Sequence, residues 1–292
     1  MAARLVAQAG FEAAFISGAA LANVHWGFPD IGLIGMSEVV EEVRRIANAV
    51  DLPLIADGDT GYGNAVNVLR TVRELEATGV AGILLEDQVT PKRCGHFAGK
   101  QVVDAEEMLQ KIAAFQEARR DPNLVLVART DAYATHGLAE AIRRGRMYAE
   151  AGADVIFVEA PTSVDELRTI AREIPAPTLA NMVEGGRTPV LTAGELEAMG
   201  FRIALFANTV MRAAAFAARE ALSAMAASGS SAALVDRMLT WQERQELVGL
   251  PDFQAAEDRF VLWAAQRMAE AGTKGGGADR QDVSLPQDGS DS

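Results

Sequence analysis

Residues 148–160 read "YAEAGADVIFVEA". A stretch with helical spacing runs to Gly152, and an apolar run follows at once and stops at Glu159. Gly152 stands where a glycine just past a helix end belongs. The same order recurs in "AQAGFEAAFISG" (7–18), "LEATGVAGILLED" (75–87) and "LEAMGFRIALFAN" (196–208), with Gly10, Gly79 and Gly200 in the equivalent place. Between these units lie three more short apolar runs opened by Pro or Asn: "DLPLIADGD" (51–59), "NLVLVARTD" (123–131) and "PAPTLANMV" (175–183). Seven apolar runs alternating with helical segments predict a parallel sheet and the α/β class.

The helical segments carry their own start signals. "SVDE" (163–166) and "TAGE" (192–195) are capping boxes, pairing Ser163 with Glu166 and Thr192 with Glu195. "SEVVEEVRRIANAV" (37–50) is read as a helix with Ser37 at its N-cap. A long alanine-rich helix is expected over about 209–227, with shorter helical pieces after it and another helix near 252–271.

Each apolar run ends in polar residues: Ser17, Asp57 with Asp59, Glu86 with Asp87, Arg129 with Asp131, Glu159, Asn181 and Asn208. Polar groups delivered by seven successive strands to one rim describe a (β/α)8 barrel, whose site forms at the C-terminal ends of its strands. A doubly wound sheet would gather its site at one switch point, and no phosphate-type glycine fingerprint follows any run. Only seven strands are counted. Residues 1–9 read as the back half of a helix whose preceding strand is missing, and the favoured reading is a natural start further upstream.

Composition narrows the function. The chain has 292 residues, 49% of them apolar, enough for a sizeable core. No apolar run reaches the length of a membrane span, and no signal peptide is recognised. A single cysteine excludes an intrachain disulfide and suits a reducing cytoplasm. A formal charge of −13 argues against nucleic acid or an anionic membrane as partner, but not against a small anionic substrate. The expected organisation is a barrel domain over 1–250, a C-terminal helix over 251–272 and a disordered tail over 273–292, whose Gly/Asp/Ser-rich composition cannot build a core.

Two stretches carry chemistry. "DGDTGYGN" (57–64) places Asp57 and Asp59 two residues apart at a strand end, and Glu86 follows from the next strand. One acid after a strand is most simply a helix cap. Three on neighbouring strands suit a hard divalent cation, since Mg²⁺ takes one or two carboxylates and keeps waters. "LEDQVTPKRCGHFAGK" (85–100) holds the only thiol, Cys94, among Lys92, Arg93 and His96. The cations could clamp a carboxylate or phosphonate and would lower the thiol pKa. Gly95 and Gly99 suit a loop that closes over substrate. The plainer alternative is a solvated basic loop. Arg129, at a strand end, requires carboxylate partners, which Glu159 and the other rim acids supply; it is read as a functional residue, with a purely structural ion pair as the alternative. For Ser17 and Gly18 alone, a plain turn competes with a carboxylate site. His25 and His136 read as surface or loop residues, Trp26 as packing, and Met182, Met199 and Met211 as core.

Together "FISGAA", "GFPDIG", "DGDTGYGN", "LEDQVTPKRCGH", "ARTDA", "EAPTS" and "LANMVEGGRTP" resemble the isocitrate lyase / phosphoenolpyruvate mutase superfamily over about residues 3–250. The resemblance implies a (β/α)8 TIM barrel of that type, lacking its first strand here. Its C-terminal helices would be exchanged between subunits of a homodimer or homotetramer. It implies Mg²⁺, with Mn²⁺ as a substitute, and a small carboxylate substrate. Asp57 matches the acid nearest the metal, while Asp59 and Glu86 match those that hold its waters. Ser17 and the amides of Gly18 and Ala19 match the substrate carboxylate site, and Asp30 an acid near the reacting centre. Arg129 matches the arginine that stabilises the developing oxyanion. Glu159 and Asn181 match contacts to the distal part of the substrate. Cys94 matches the general acid/base of the lyase branch, and Lys92, Arg93 and His96 its gating loop.

The implied activity is Mg-dependent cleavage of a carbon–carbon bond in a 2-hydroxy di- or tricarboxylate, of the 2-methylisocitrate or 2,3-dimethylmalate type, through an enolate. Carboxyphosphonoenolpyruvate phosphonomutase and oxaloacetate decarboxylase or hydrolase are alternatives on the same scaffold. An inactive barrel that binds a metabolite is the alternative of another class. The sequence departs from the lyase pattern at Phe15, where lyases often carry Tyr, at "FAGK" (97–100) and at "LFANT" (205–209).

Overall fold

The computed structural model describes residues 1–93 and 99–273. Cys94, Gly95 and His96 lie outside the described residues, as does the expected tail from residue 274 onward. The order of elements is α1 (Ala2–Gln8), β1 (Ala14–Ile16), α2 (Gly18–His25), α3 (Met36–Ala47), β2 (Leu54–Asp57), α4 (Ala65–Glu76), β3 (Gly82–Glu86) and α5 (Ala105–Ala118). It continues with β4 (Val125–Thr130), α6 (Ala132–His136), α7 (Leu138–Glu150), β5 (Val155–Val158), α8 (Val164–Glu173), β6 (Thr178–Asn181), α9 (Ala193–Met199) and β7 (Ile203–Leu205). After these come α10 (Thr209–Ser228), a 3-10 turn (Ala232–Arg237), α11 (Trp241–Leu247) and α12 (Leu250–Thr273).

The seven apolar runs are the seven strands. They form one parallel sheet in the order β1-β2-β3-β4-β5-β6-β7. Leu84, Val127, Val155, Phe157 and Leu179 pack into one buried cluster together with Phe15 and Ile55 from the first two strands and Ile203 and Leu205 from the last. Side chains from both ends of the sheet can meet there only if the sheet curls round on itself, so the strands form a nearly closed barrel. Among the described residues, β1 and β7 pair with a strand on one side only. A second, larger cluster fills the space between the sheet and the helices around it.

Local rules explain the elements. All residues of β3 and β5 are buried, as expected of parallel strands covered on both faces. Gly10, Gly79, Gly152 and Gly200 all adopt positive φ, which ends each helix and turns the chain into the next strand. Both capping boxes form: Ser163 and Thr192 accept from the amides of Glu166 and Glu195, whose carboxylates bond back. The third helix start differs from expectation. The N-cap of α3 is Gly35, not Ser37, because the Glu38 carboxylate accepts from the Gly35 amide at 2.5 Å and draws the helix start forward. Trp26, read as a packing residue, is 40% exposed.

The chain divides into two compact units, Ala2–Ser223 and a second that starts at Ala224. The barrel lies in the first, and α11 and α12 lie in the second. No helix among the described residues is long and apolar enough to cross a membrane.

Candidate active site

The C-terminal ends of the strands surround one pocket. Its floor is apolar: Phe15, Leu84, Phe157 and Leu205 come from β1, β3, β5 and β7. Four side chains from alternate strands are one layer of a barrel interior. Above this layer stand Ser17, Asp57, Glu86, Arg129, Glu159 and Asn181. Asp30, Lys92, Arg93 and Ala19 complete the wall, together with Ala207 and Asn208.

The acids arrive by different routes. Asp57 ends β2, and Asp59 lies beyond it with φ 47, so the two do not simply share a strand face. The turn between them crosses over β3: the Gly58 amide donates to Leu84 O at 2.8 Å and the Glu86 amide to Asp59 O at 2.9 Å. A Cβ on Gly58 would lie 2.8 Å from Leu84 O, so only glycine fits. Glu86 points into the pocket, whereas Asp87 points away from it, as alternation along a strand requires.

Asp57 Oδ2 accepts from the Gly18 amide at 3.0 Å, and its Oδ1 from the Asp59 amide at 3.1 Å. The Gly18 amide, expected to meet a substrate carboxylate, is therefore already engaged. Ser17 is not in a plain turn; it is the N-cap of α2, and its Oγ accepts from Ala20 N at 3.3 Å. That bond leaves the Ser17 hydroxyl proton available to an anion in the pocket.

Lys92 is buried and lies 2.6 Å from Asp30 Oδ1 and 2.9 Å from Asp59 Oδ1. Burial works against its charge, but Asp59, Asp57, Glu86 and Asp30 outweigh it and hold the ammonium protonated. Asp59 behaves differently. Burial pushes its carboxyl up to about 6, with Asp57 and Asp30 adding to the shift and Lys92 opposing it. The two partners thus shift in senses that do not match a simple ion pair, since the lysine answers four acids while Asp59 mainly answers its burial. Glu86 is also pushed well up by burial, although Arg129 pulls the other way. Its Oε1 is buried and accepts no hydrogen bond among the described residues.

Among the described residues, no three carboxylates, imidazoles or thiols stand close enough to ligate one ion directly. The chemistry of the set still fits Mg²⁺ held by one carboxylate and its own waters. Glu86 Oε1 is an unsatisfied buried acceptor, and Asp57, Asp59 and Glu86 crowd like charges that a cation would relieve.

Arg129 is fixed on three sides. Nε and Nη2 donate to Asp131 Oδ2 and Oδ1 at 2.9 and 3.1 Å. Nη1 lies 3.3 Å from Glu86 Oε2, and Nε lies 3.8 Å from Glu159 Oε2. The guanidinium also sits 5.3 Å from the centre of the Phe157 ring. Behind it, Asp87 accepts from the Asp131 amide, Thr130 Oγ1, Arg144 Nη1 and Tyr148 OH at 2.7–3.0 Å. Tyr62 OH is buried with no hydrogen-bond partner among the described residues. Burial, then Asp59 and Asp57, raises its pKa.

The loop that follows β3 is pinned at its base. The Gln88 side chain donates to Arg93 O and accepts from Arg93 N at 2.9 and 3.0 Å. The Val89 amide donates to Gln101 O at 2.9 Å, and Lys100 Nζ donates to Asp131 Oδ1 at 2.6 Å. Sequence reading named Asp131 only as a polar strand end and Phe15 only as a departure from the lyase pattern, and it did not single out Lys100 or the rest of the apolar floor. Lys100 ends the glycine-rich loop, and Asp131 lies two residues beyond Arg129, so both were visible but unweighted.

A family model described as phosphoenolpyruvate phosphomutase matches residues 1–226. A 2,3-dimethylmalate lyase of Eubacterium barkeri is 45% identical over 261 residues, covering 89% of this chain and 90% of that protein. A 2-methylisocitrate lyase of Aeropyrum pernix is 44% identical over 267 residues, covering 91% and 86%. Among solved structures, a 2,3-dimethylmalate lyase superposes with a TM-score of 0.83 at 37% identity, covering 87% of this chain and 85% of that one.

Proposed function

We propose that this chain, which belongs to the phosphoenolpyruvate phosphomutase / isocitrate lyase superfamily as a lyase of carbon–carbon bonds, cleaves a 2-hydroxy di- or tricarboxylate of the 2-methylisocitrate or 2,3-dimethylmalate type. The observation that carries this reading is the meeting of Ser17, Asp57, Glu86 and Arg129 around one pocket with an apolar floor. Such a pocket can grip a carboxylate and accept an alkyl group at once.

Cleavage requires the hydroxyl proton to leave while the neighbouring C–C bond breaks. Asp30, the acid carried over to the reacting centre, takes that proton. The bonding pair moves onto the carbon beside the second carboxylate, giving an enolate-like dianion, and the other fragment leaves as a 2-oxo acid. Arg129 is already oriented and desolvated, so it stabilises the new charge without reorganising. The thiol of Cys94 then protonates the carbanionic carbon. Mg²⁺, held by Asp57 with Asp59 and Glu86 holding its waters, would supply further charge stabilisation. Lys92 keeps the acid set partly neutralised through Asp30 and Asp59.

The chain is further proposed to form a homodimer or homotetramer. Support comes from Phe253, Phe260, Val261, Leu262 and Met268, large apolar side chains exposed along α12. Sedimentation equilibrium of the full chain reads this directly; a monomer at micromolar concentration would refute it.

The deciding experiment is a panel of 2-methylisocitrate, 2,3-dimethylmalate, oxaloacetate and carboxyphosphonoenolpyruvate, each with Mg²⁺ and with chelator. Proton and phosphorus NMR would follow the products. Release of a 2-oxo acid from one of the first two, abolished by chelator, is expected. Turnover of carboxyphosphonoenolpyruvate alone would assign the mutase alternative, and no turnover of any would sink the lyase reading for these substrates.

A further inference from the structure

We infer that Lys100 and Asp131 are positioning residues for Arg129, and that Lys100 sets how much of the Arg129 charge reaches the pocket. The inference rests on the proposed role of Arg129 opposite the developing negative charge.

The geometry is a relay of three buried charges. Asp131 holds Arg129 through both carboxylate oxygens, and its Oδ1 is shared between Arg129 Nη2 at 3.1 Å and Lys100 Nζ at 2.6 Å. Asp131 is fully buried, and the Lys100 side chain retains only 2% of its exposure. Neither charge is screened by solvent there, so each acts strongly on its neighbour. The Asp131 amide donates to Asp87 Oδ1 at 2.9 Å, and Asp87 is itself held by Thr130, Arg144 and Tyr148. Asp131 therefore cannot move to follow a changed partner.

With Lys100 present, one carboxylate is divided between two cations, and Arg129 keeps net positive charge for the pocket. Remove Lys100, and the whole Asp131 charge falls on Arg129. The guanidinium is then drawn toward Asp131, and the field it presents beside Glu86 and Phe157 weakens. Neither Lys100 nor Asp131 lines the pocket, so neither touches substrate.

The test compares wild type with Lys100→Gln, Lys100→Met and Lys100→Arg, each checked for folding by thermal unfolding. Two readouts are taken with Mg²⁺ present: kcat and KM on whichever substrate the panel identifies, and the affinity for oxalate by calorimetry. Oxalate is a planar dianion shaped like a small enolate. Because the lost interaction acts on developing charge, Lys100→Gln is expected to lower kcat about 10–100-fold with KM within about threefold. Oxalate affinity should fall about tenfold, and Lys100→Arg should recover both within about threefold. In an Asp131→Asn background, Lys100→Gln should add no more than about a twofold further loss, since the coupling is already gone.

A folded Lys100→Gln or Lys100→Met protein that keeps kcat and oxalate affinity within about twofold of wild type overturns the inference. So does a fall in melting temperature with kcat unchanged, which is the signature of a strut. If wild type turns over no substrate but binds oxalate, the lyase reading fails while the oxalate series still decides this one. If wild type does not bind oxalate, Arg129 is no stabiliser of such anions and the inference falls with it.

Discussion

Glu86 ends β3 and Asp87 follows it; the first lines the pocket and the second does not. Asp87 is buried with Arg144, which is 5% exposed. Removing the carboxylate would leave Arg144 with Glu140 as its remaining acid and would take a buried acceptor from Thr130, Tyr148 and the Asp131 amide, so Asp87→Ala should cost about 3–5 kcal/mol, read by urea unfolding. Glu86→Gln removes an acid that burial already disfavours. It should leave stability unchanged or raised while weakening Mg²⁺ binding in calorimetry. The sign of the pH response follows from Asp59. Its folded value of about 6 lies above the unfolded 3.8, so between those values the folded state binds the extra proton. Metal-free protein should therefore gain stability as pH falls from 7 toward 5, and lose it again as pH rises through about 6. A melting temperature that falls steadily from pH 7 to 5 would contradict this. Sequence reading grouped these polar strand ends as one rim. It did not distinguish the residues that face inward from those that face the helices, because each strand end leaves its sheet at a different residue. Asp59 shows the limit: its left-handed backbone, not a two-residue alternation, brings it to Asp57.

At the level of elements, apolar runs were legible because a strand buried on both faces leaves no room for polar residues, and β3 and β5 are buried throughout. Helix starts were legible where a hydroxyl sat three residues before a Glu. Ser163→Ala should cost about 1 kcal/mol, measurable as a shift in urea midpoint. The loop after β3 was harder. Its cations were read as substrate contacts; Lys92 and Arg93 do line the pocket, while Lys92 is also paired with Asp30 and Asp59 and the unweighted Lys100 serves Asp131. A list of charges does not say which partners the fold brings near. The thiol and imidazole of that loop, Cys94 and His96, lie outside the described residues. Cys94→Ala is expected to abolish turnover while leaving oxalate binding intact; full retained activity would remove the thiol from the mechanism.

For the molecule as a whole, the α/β class was legible in the alternation of apolar runs and helical segments and the barrel in the polar ends of those runs, and the seven runs counted are the seven strands. Addition of Mg²⁺ should raise the melting temperature of the chain by mass action, and more at pH 8 than at pH 5.5, where protons compete for Asp59. Among the described residues β1 and β7 each keep one unpaired side, which has a further effect on backbone exchange with solvent. β3 is paired on both sides and wholly buried, while every residue of β7 is only half-buried. Amide deuteration should thus run slowest in β3 and β4 and fastest in β1 and β7. The pocket spans that gradient: Glu86 and Arg129 stand on the slow strands, Ser17 and Leu205 on or beside the fast ones. An occupant gripping both sides would bridge the seam, and its arrival should be recorded as deuterium protection gained in β1 and β7 rather than in the strands that carry the charge.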